Sequence, residues 1–211
     1  MKLTKEDIKF IDDFLINKKI KHLDIRVELI DHLATEFEER SAYVLIEDFL
    51  LSKVNFILEF NKKQKKTIHW SYQKLLWVQF AKFFYQLKFI AILTALVIIG
   101  YVIFNLFSLK TFSFIWLSTL AILLLYPIYY QIRYSKALKK VQSMQSLFTI
   151  TSLPSVFLYV FGVLKDYLFE TPIILVLYFS VSLLLSLSAV TVIENNRRKI
   201  IDKYIQLVRD I

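Results

Sequence analysis

From Phe60 through Lys165 the chain carries no aspartate or glutamate, and within and beyond that stretch lie four uncharged apolar runs, at 89–109, 112–132, 147–164 and 171–193. An α-helix rises 1.5 Å per residue, so about 20 residues cover the roughly 30 Å hydrocarbon core of a bilayer. The runs therefore predict four transmembrane helices. They also limit everything else, because a chain of 211 residues then has room for only one further region of any size, its amino-terminal part. No sizeable catalytic domain fits.

The formal net charge is +9, but the lysines and arginines crowd against the apolar runs, where membrane orientation and lipid headgroups account for them. Nucleic acid is not an expected partner. Cysteine is absent, which excludes disulfides, thiolate metal ligands and a cysteine nucleophile. The start, MKLTKEDIKFIDDF, is charged and amphipathic with no continuous apolar core, so it does not read as a cleaved signal peptide, and the first span is expected to do the targeting. Heavy use of Lys, Ile and Phe with only two Gly suggests an AT-rich bacterial genome.

Positive charge resists translocation. Lys62, Lys63, Lys65, Lys66, Lys74, Lys82 and Lys88 precede the first span. Arg133, Lys136, Lys139 and Lys140 lie between the second and third, and Arg197, Arg198, Lys199, Lys203 and Arg209 follow the fourth. The other two connections carry only Lys110, and Lys165 beside Asp166 and Glu170. The asymmetry predicts a multi-pass protein of the bacterial inner membrane with both termini cytoplasmic and short outer hairpins.

The fold class expected is all-α, with a cytoplasmic three-helix bundle over 1–60. Thr4 and Asp7 form a capping-box variant that starts a helix over 4–17, with Ile8, Ile11, Phe14 and Leu15 on one face. A second helix is expected from His22 to Arg40, with an apolar stripe of Leu23, Val27, Ile30, Leu33, Ala34 and Phe37. A third should run from Ala42 to Phe60, facing inward through Ile46, Phe49, Leu50, Val54 and Ile57. A core of about 60 residues is marginal alone, so docking on the membrane or on another subunit is expected. Arg26 and Glu47 fall inside the apolar arcs of the second and third helices; they read either as an ion pair that fixes packing or as two side chains snorkelling over apolar surface.

In DIRVELIDHLATEFEER, residues 24–40, Arg26, Glu28, Leu29, Asp31 and His32 resemble the Arg-x-Glu-Ile/Leu-x-Asp/Glu-x-x-His pattern of the HAAS-type helical domain, with a shorter spacing before the histidine and without the usual Leu-Pro before the arginine. That domain lies at the amino terminus of many bacterial membrane proteins, some encoded beside PadR-type repressors. The resemblance covers residues 1–60 and implies a signalling or regulatory role with no catalytic residue. Glu28, His32 and Glu36, with Asp31 adjoining, follow helical spacing, but one histidine without a second ligand-bearing helix reads as a solvated acidic face, and no metal or cofactor is expected. His22 and His69 are isolated and are assigned no chemistry.

Residues 61–88 are basic and aromatic. Trp70, Lys74, Trp77, Lys82 and Lys88 mark an interfacial helix, the rings at headgroup depth and the lysines reaching anionic phosphates. Residues 194–211 predict a separate amphipathic helix through Ile200, Ile201, Tyr204, Ile205 and Val208. Pro127 and Pro154 should kink the second and third spans. The spans lack ionisable groups at depth, and Ser180, Ser182, Ser186 and Ser188 read as a packing seam.

The expected function is therefore a non-enzymatic membrane protein presenting a helical interaction domain on a four-helix anchor. Arg26, Glu28, Asp31, His32 and Glu47 are its interaction residues. The partners expected are membrane lipid, including anionic headgroups, and a protein on the cytoplasmic side, with a homo-oligomer left open. The alternative is a small transporter or channel subunit whose pathway forms between protomers and uses Asn105 and the Ser and Thr side chains.

Overall fold

A computed structural model describes residues 2–40 and 45–209, which form helices α1 (Lys5–Asn17), α2 (Leu23–Arg40), α3 (Ile46–Ser52), α4 (Val54–Lys82), α5 (Leu87–Leu106), α6 (Leu109–Arg133), α7 (Ser135–Lys140), α8 (Gln142–Thr149), α9 (Ser152–Glu170) and α10 (Pro172–Arg209). Among the described residues there is no strand, and the chain is all-α. It divides into two compact units, one of Met1–Trp70, Ser135–Ser146 and Ile200–Ile211, the other of Ser71–Tyr134 and Leu147–Lys199.

In the first unit, α1 begins at the capping box read from the sequence. The Thr4 hydroxyl accepts the Asp7 N–H at 3.2 Å and the Asp7 carboxylate accepts the Thr4 N–H at 2.8 Å. These bonds, the one from the Thr4 backbone first, hold the Asp7 carboxyl below its ordinary value. The cap is therefore complete above the usual carboxylate range and fails as pH falls through the depressed value.

The other end of α1 turns through Lys19, at φ 65°, where Lys19 N–H reaches Ile16 O at 2.9 Å and Ile20 N–H reaches Leu15 O at 3.0 Å. This paired closure ends the helix with a left-handed residue and drops Ile20, 1% exposed, into the core. A side chain at positive φ is strained, so Lys19→Gly is expected to stabilise this unit by about 0.5–1 kcal/mol, read as a higher denaturation midpoint. An unchanged or lower midpoint would sink the assignment.

The core gathers Ile11 and Leu15 of α1, Ile25, Leu29, Leu33 and Phe37 of α2, Phe49 and Leu50 of α3, and Ile57 of α4. The expected stripe of α2 is buried at Leu23, Leu33 and Phe37, with Ile30 and Ala34 packed against the core, and is joined by Ile25 and Leu29, which the spacing did not place there and which are fully buried, while Val27 is half-buried. The expected third helix is two. Ser52 donates its hydroxyl to Phe49 O at 2.6 Å, offering that carbonyl a partner outside the helical ladder, and the chain bends at Lys53 before α4 begins. Ala42 lies outside the described residues. The remainder of that helix and most of the interfacial segment form one helix, because no Gly or Pro interrupts residues 54–82.

In the second unit the turn at Phe83–Gln86 separates α4 from α5, and Phe107 and Ser108 alone join α5 to α6, with the Ser108 hydroxyl accepting Thr111 N–H at 3.4 Å. Among the described residues four helical segments are long and apolar enough to cross a membrane: Leu87–Leu106, Leu109–Arg133, Gln142–Glu170 and Ile173–Gln206. Phe112, Trp116, Leu120, Leu168, Leu175, Phe179 and Leu183 form their shared core, and the Phe161 ring lies tilted against Phe179 at 5.2 Å between centroids.

The two prolines differ in effect. α6 runs unbroken through buried Pro127, whereas the third segment is interrupted at Ile150 and Thr151. Pro154 sits in the first turn of α9, where its missing N–H costs no helical bond and its ring would clash with a helical carbonyl at Ile150. The fourth segment does not stop at Ile193. α10 continues to Arg209 because residues 194–209 hold no breaker, so the separate carboxyl-terminal helix is instead its continuation. The Val208 side chain lies outside the described residues.

Candidate functional site

The most elaborate polar arrangement in the first unit forms between the amino-terminal helices and residues 142–146, at the start of the segment Gln142–Glu170. α8 follows Val141, whose side chain has no acceptor for the free N–H groups of the helix start. Asp24, in the first turn of α2, supplies one from 118 residues away. Its Oδ1 accepts Gln142 N–H at 3.0 Å, and its Oδ2 accepts Ser143 N–H at 2.9 Å and the Ser143 hydroxyl at 2.8 Å. A full negative charge thus sits on the positive end of α8. Val141 and Met144 are buried alongside, and Gln142 Nε2 donates to Ser146 Oγ at 3.0 Å.

His22 closes the same clasp. It caps α2 through its carbonyl, which accepts Arg26 N–H at 3.0 Å, and its Nε2 lies 3.2 Å from Gln145 Oε1. With that oxygen as acceptor the neutral ring carries its proton on Nε2. Nδ1 is buried with no hydrogen-bond partner. Burial, reinforced by Lys65 and Lys21 and opposed by Asp24 and the Gln145 bond, holds the ring below the ordinary histidine value.

The interaction residues expected from the sequence are only partly together. Arg26 pairs with Asp12 of α1, Nε to Oδ1 at 2.7 Å, and not with Glu47, which is exposed. Asp12 faces α2 across the contact between the first two helices, so Arg26 reaches it without leaving the packed face. Glu28 accepts from Gln64 of α4, and Glu36 pairs with Lys53. Asp31 and His32 remain exposed on α2, the imidazole standing edge-on to Phe60 at 5.4 Å. Among the described residues no three metal-ligating side chains lie together.

Of the interface residues, Trp70 and Trp77 are 60% and 50% exposed, Lys74 and Lys88 are exposed, and Lys82 is half-buried. Leu75, Val78 and Phe84 join them on the outside of α4 and its turn, while Gln73 and Gln79 are buried. The same stretch also buries Leu76 and Phe83 and leaves Lys74 outward, so each face mixes polar and apolar groups.

A second polar cluster, in the other unit, went unread in the sequence. Arg197, 7% exposed, makes two 2.8 Å bonds to Glu194, which also accepts from the Tyr126 hydroxyl, and the guanidinium lies 4.0 Å over the Tyr130 ring. The available signal was the tyrosine spacing 126, 130, 134 opposite the first charges after the fourth run. Elsewhere in the spans Ser182, Ser186 and Ser188 are buried and donate to carbonyls of their own helix, and Asn105 Nδ2 donates to Tyr101 O at 2.8 Å.

Comparison with known proteins adds no relative: no family model, curated protein or solved structure matches the chain.

Proposed function

We propose that this chain is a non-enzymatic regulatory or assembly protein of the bacterial inner membrane, with four spanning helices that anchor a small helical domain on the cytoplasmic side. The observation that carries the reading is the clasp. Asp24 and His22 of the amino-terminal helices hold residues 142–145, which are the first residues of the segment Gln142–Glu170, so the amino-terminal helices are tied to the apolar part of the chain at a point other than their own end. The grouping of 1–70, 135–146 and 200–211 in one compact unit supports both termini and the middle connection sharing one side, in agreement with the lysine and arginine distribution. The resemblance of residues 1–60 to HAAS-type domains leads to the same role.

Asp31 and His32 are the residues of the HAAS-like motif left outward, and they form the contact surface for a protein partner. A photo-crosslinking residue in place of His32 in the full-length protein is expected to capture one discrete partner in cells, and Asp31→Lys is expected to reduce that capture at least tenfold with membrane insertion unchanged. Capture of lipid alone, or indifference to Asp31→Lys, would overturn the reading.

A further inference from the structure

We infer that the His22–Asp24 clasp is a pH-responsive latch: protonation of His22 releases residues 142–146 from the amino-terminal helices. The geometry requires a neutral ring. Nε2–H is used by Gln145 Oε1, and the other nitrogen is buried as a bare lone pair. A proton added there creates an N–H with no acceptor and a charge with little water, since His22 is only 9% exposed.

The charged groups facing the ring are Lys65 from α4, Lys21 from the preceding link and Asp24 from α2, while α8 presents the neutral Gln145. Two of the three oppose a further positive charge. Asp24, which would welcome it, already spends both carboxylate oxygens on Gln142 and Ser143. Drawing Asp24 toward an imidazolium weakens the cap on α8, and moving Gln145 away to hydrate the ring opens the same contact. Either response loosens α8 at its first turn.

The sign follows from linkage. The docked ring sits below the released one, so docking is fully favoured above the ordinary histidine value and is lost as pH falls through the docked value. One proton limits the effect to about tenfold per pH unit. The window lies in mildly acidic conditions, where a histidine is the side chain suited to respond.

The test is amide hydrogen exchange of full-length protein in nanodiscs between pH 7.5 and 5.5, corrected for intrinsic rates and read at Gln142 and Ser143. Protection of these two amides is expected to fall several-fold with acidification in the native chain, while amides at the centre of α2 hold. His22→Gln retains a donor for Gln145 and cannot ionise, so its protection should be flat with pH. His22→Asn serves the same purpose if the longer side chain does not fit. A flat native profile overturns the latch, and so does a native fall that persists in both variants. If both variants lose protection at pH 7.5, the neutral ring is itself the fastener, and the native profile alone decides.

Discussion

Leu29→Ala is expected to cost the amino-terminal unit about 3 kcal/mol, and Val27→Ala, two positions away, about 1 kcal/mol or less. Leu29 is fully buried in the core that α1, α2, α3 and α4 share, so truncation removes transfer free energy and leaves a cavity. Val27 is half-buried and its loss can be filled by water or a neighbour. A core of this size rarely supplies more than about 3–5 kcal/mol, so the first substitution should bring the unit close to unfolding. Hydrogen exchange across α2 in the full-length protein reads both. Equal loss of protection in the two variants would mean that α2 is rotated relative to the arrangement described.

Asp24→Ala should free the middle connection at a cost of about 2 kcal/mol. Besides the Ile25 N–H of its own helix, the carboxylate accepts two backbone N–H groups and one hydroxyl from residues 142 and 143, and charge-assisted bonds of this kind are worth more than neutral ones. α8 has no local substitute, since Val141 precedes it. The readout is tryptic cleavage after Lys140, whose following residue Val141 is 3% exposed and therefore protected while the clasp holds. When opening is fast relative to cleavage, the rate follows the open population, and 2 kcal/mol corresponds to roughly 30-fold faster cutting. Asp24→Asn, which keeps acceptor capacity without the charge, should fall between. Cleavage at the native rate in Asp24→Ala would remove the clasp from the account of this protein.

Much of the candidate site could not be read in advance, and particular residues show why. Asp24 was visible only as one acid on a polar face, and His22 only as an isolated histidine at a helix start; their partners lie more than 100 positions away in a stretch with no marked pattern of its own. Arg26 reads from the sequence as a charge on an apolar arc, but helical spacing gives no information on which neighbouring helix answers it. Asp12 and Glu47 were both available, and the packing of α1 against α2 selected Asp12. The Thr4–Asp7 cap, by contrast, was legible because both partners lie within one turn.

The sequence by itself determined the helical class, the four apolar segments and the cap that starts α1, because hydropathy and helix capping act over a few residues at a time. Tertiary structure alone decided that Ile25 and Leu29 join the inward face of α2, that Glu194 and Arg197 meet the tyrosines of α6, and that Asp24 caps α8. Each of those depends on which of several locally acceptable arrangements buries the most apolar surface while leaving every polar group a partner, and that choice is made only when distant segments come together.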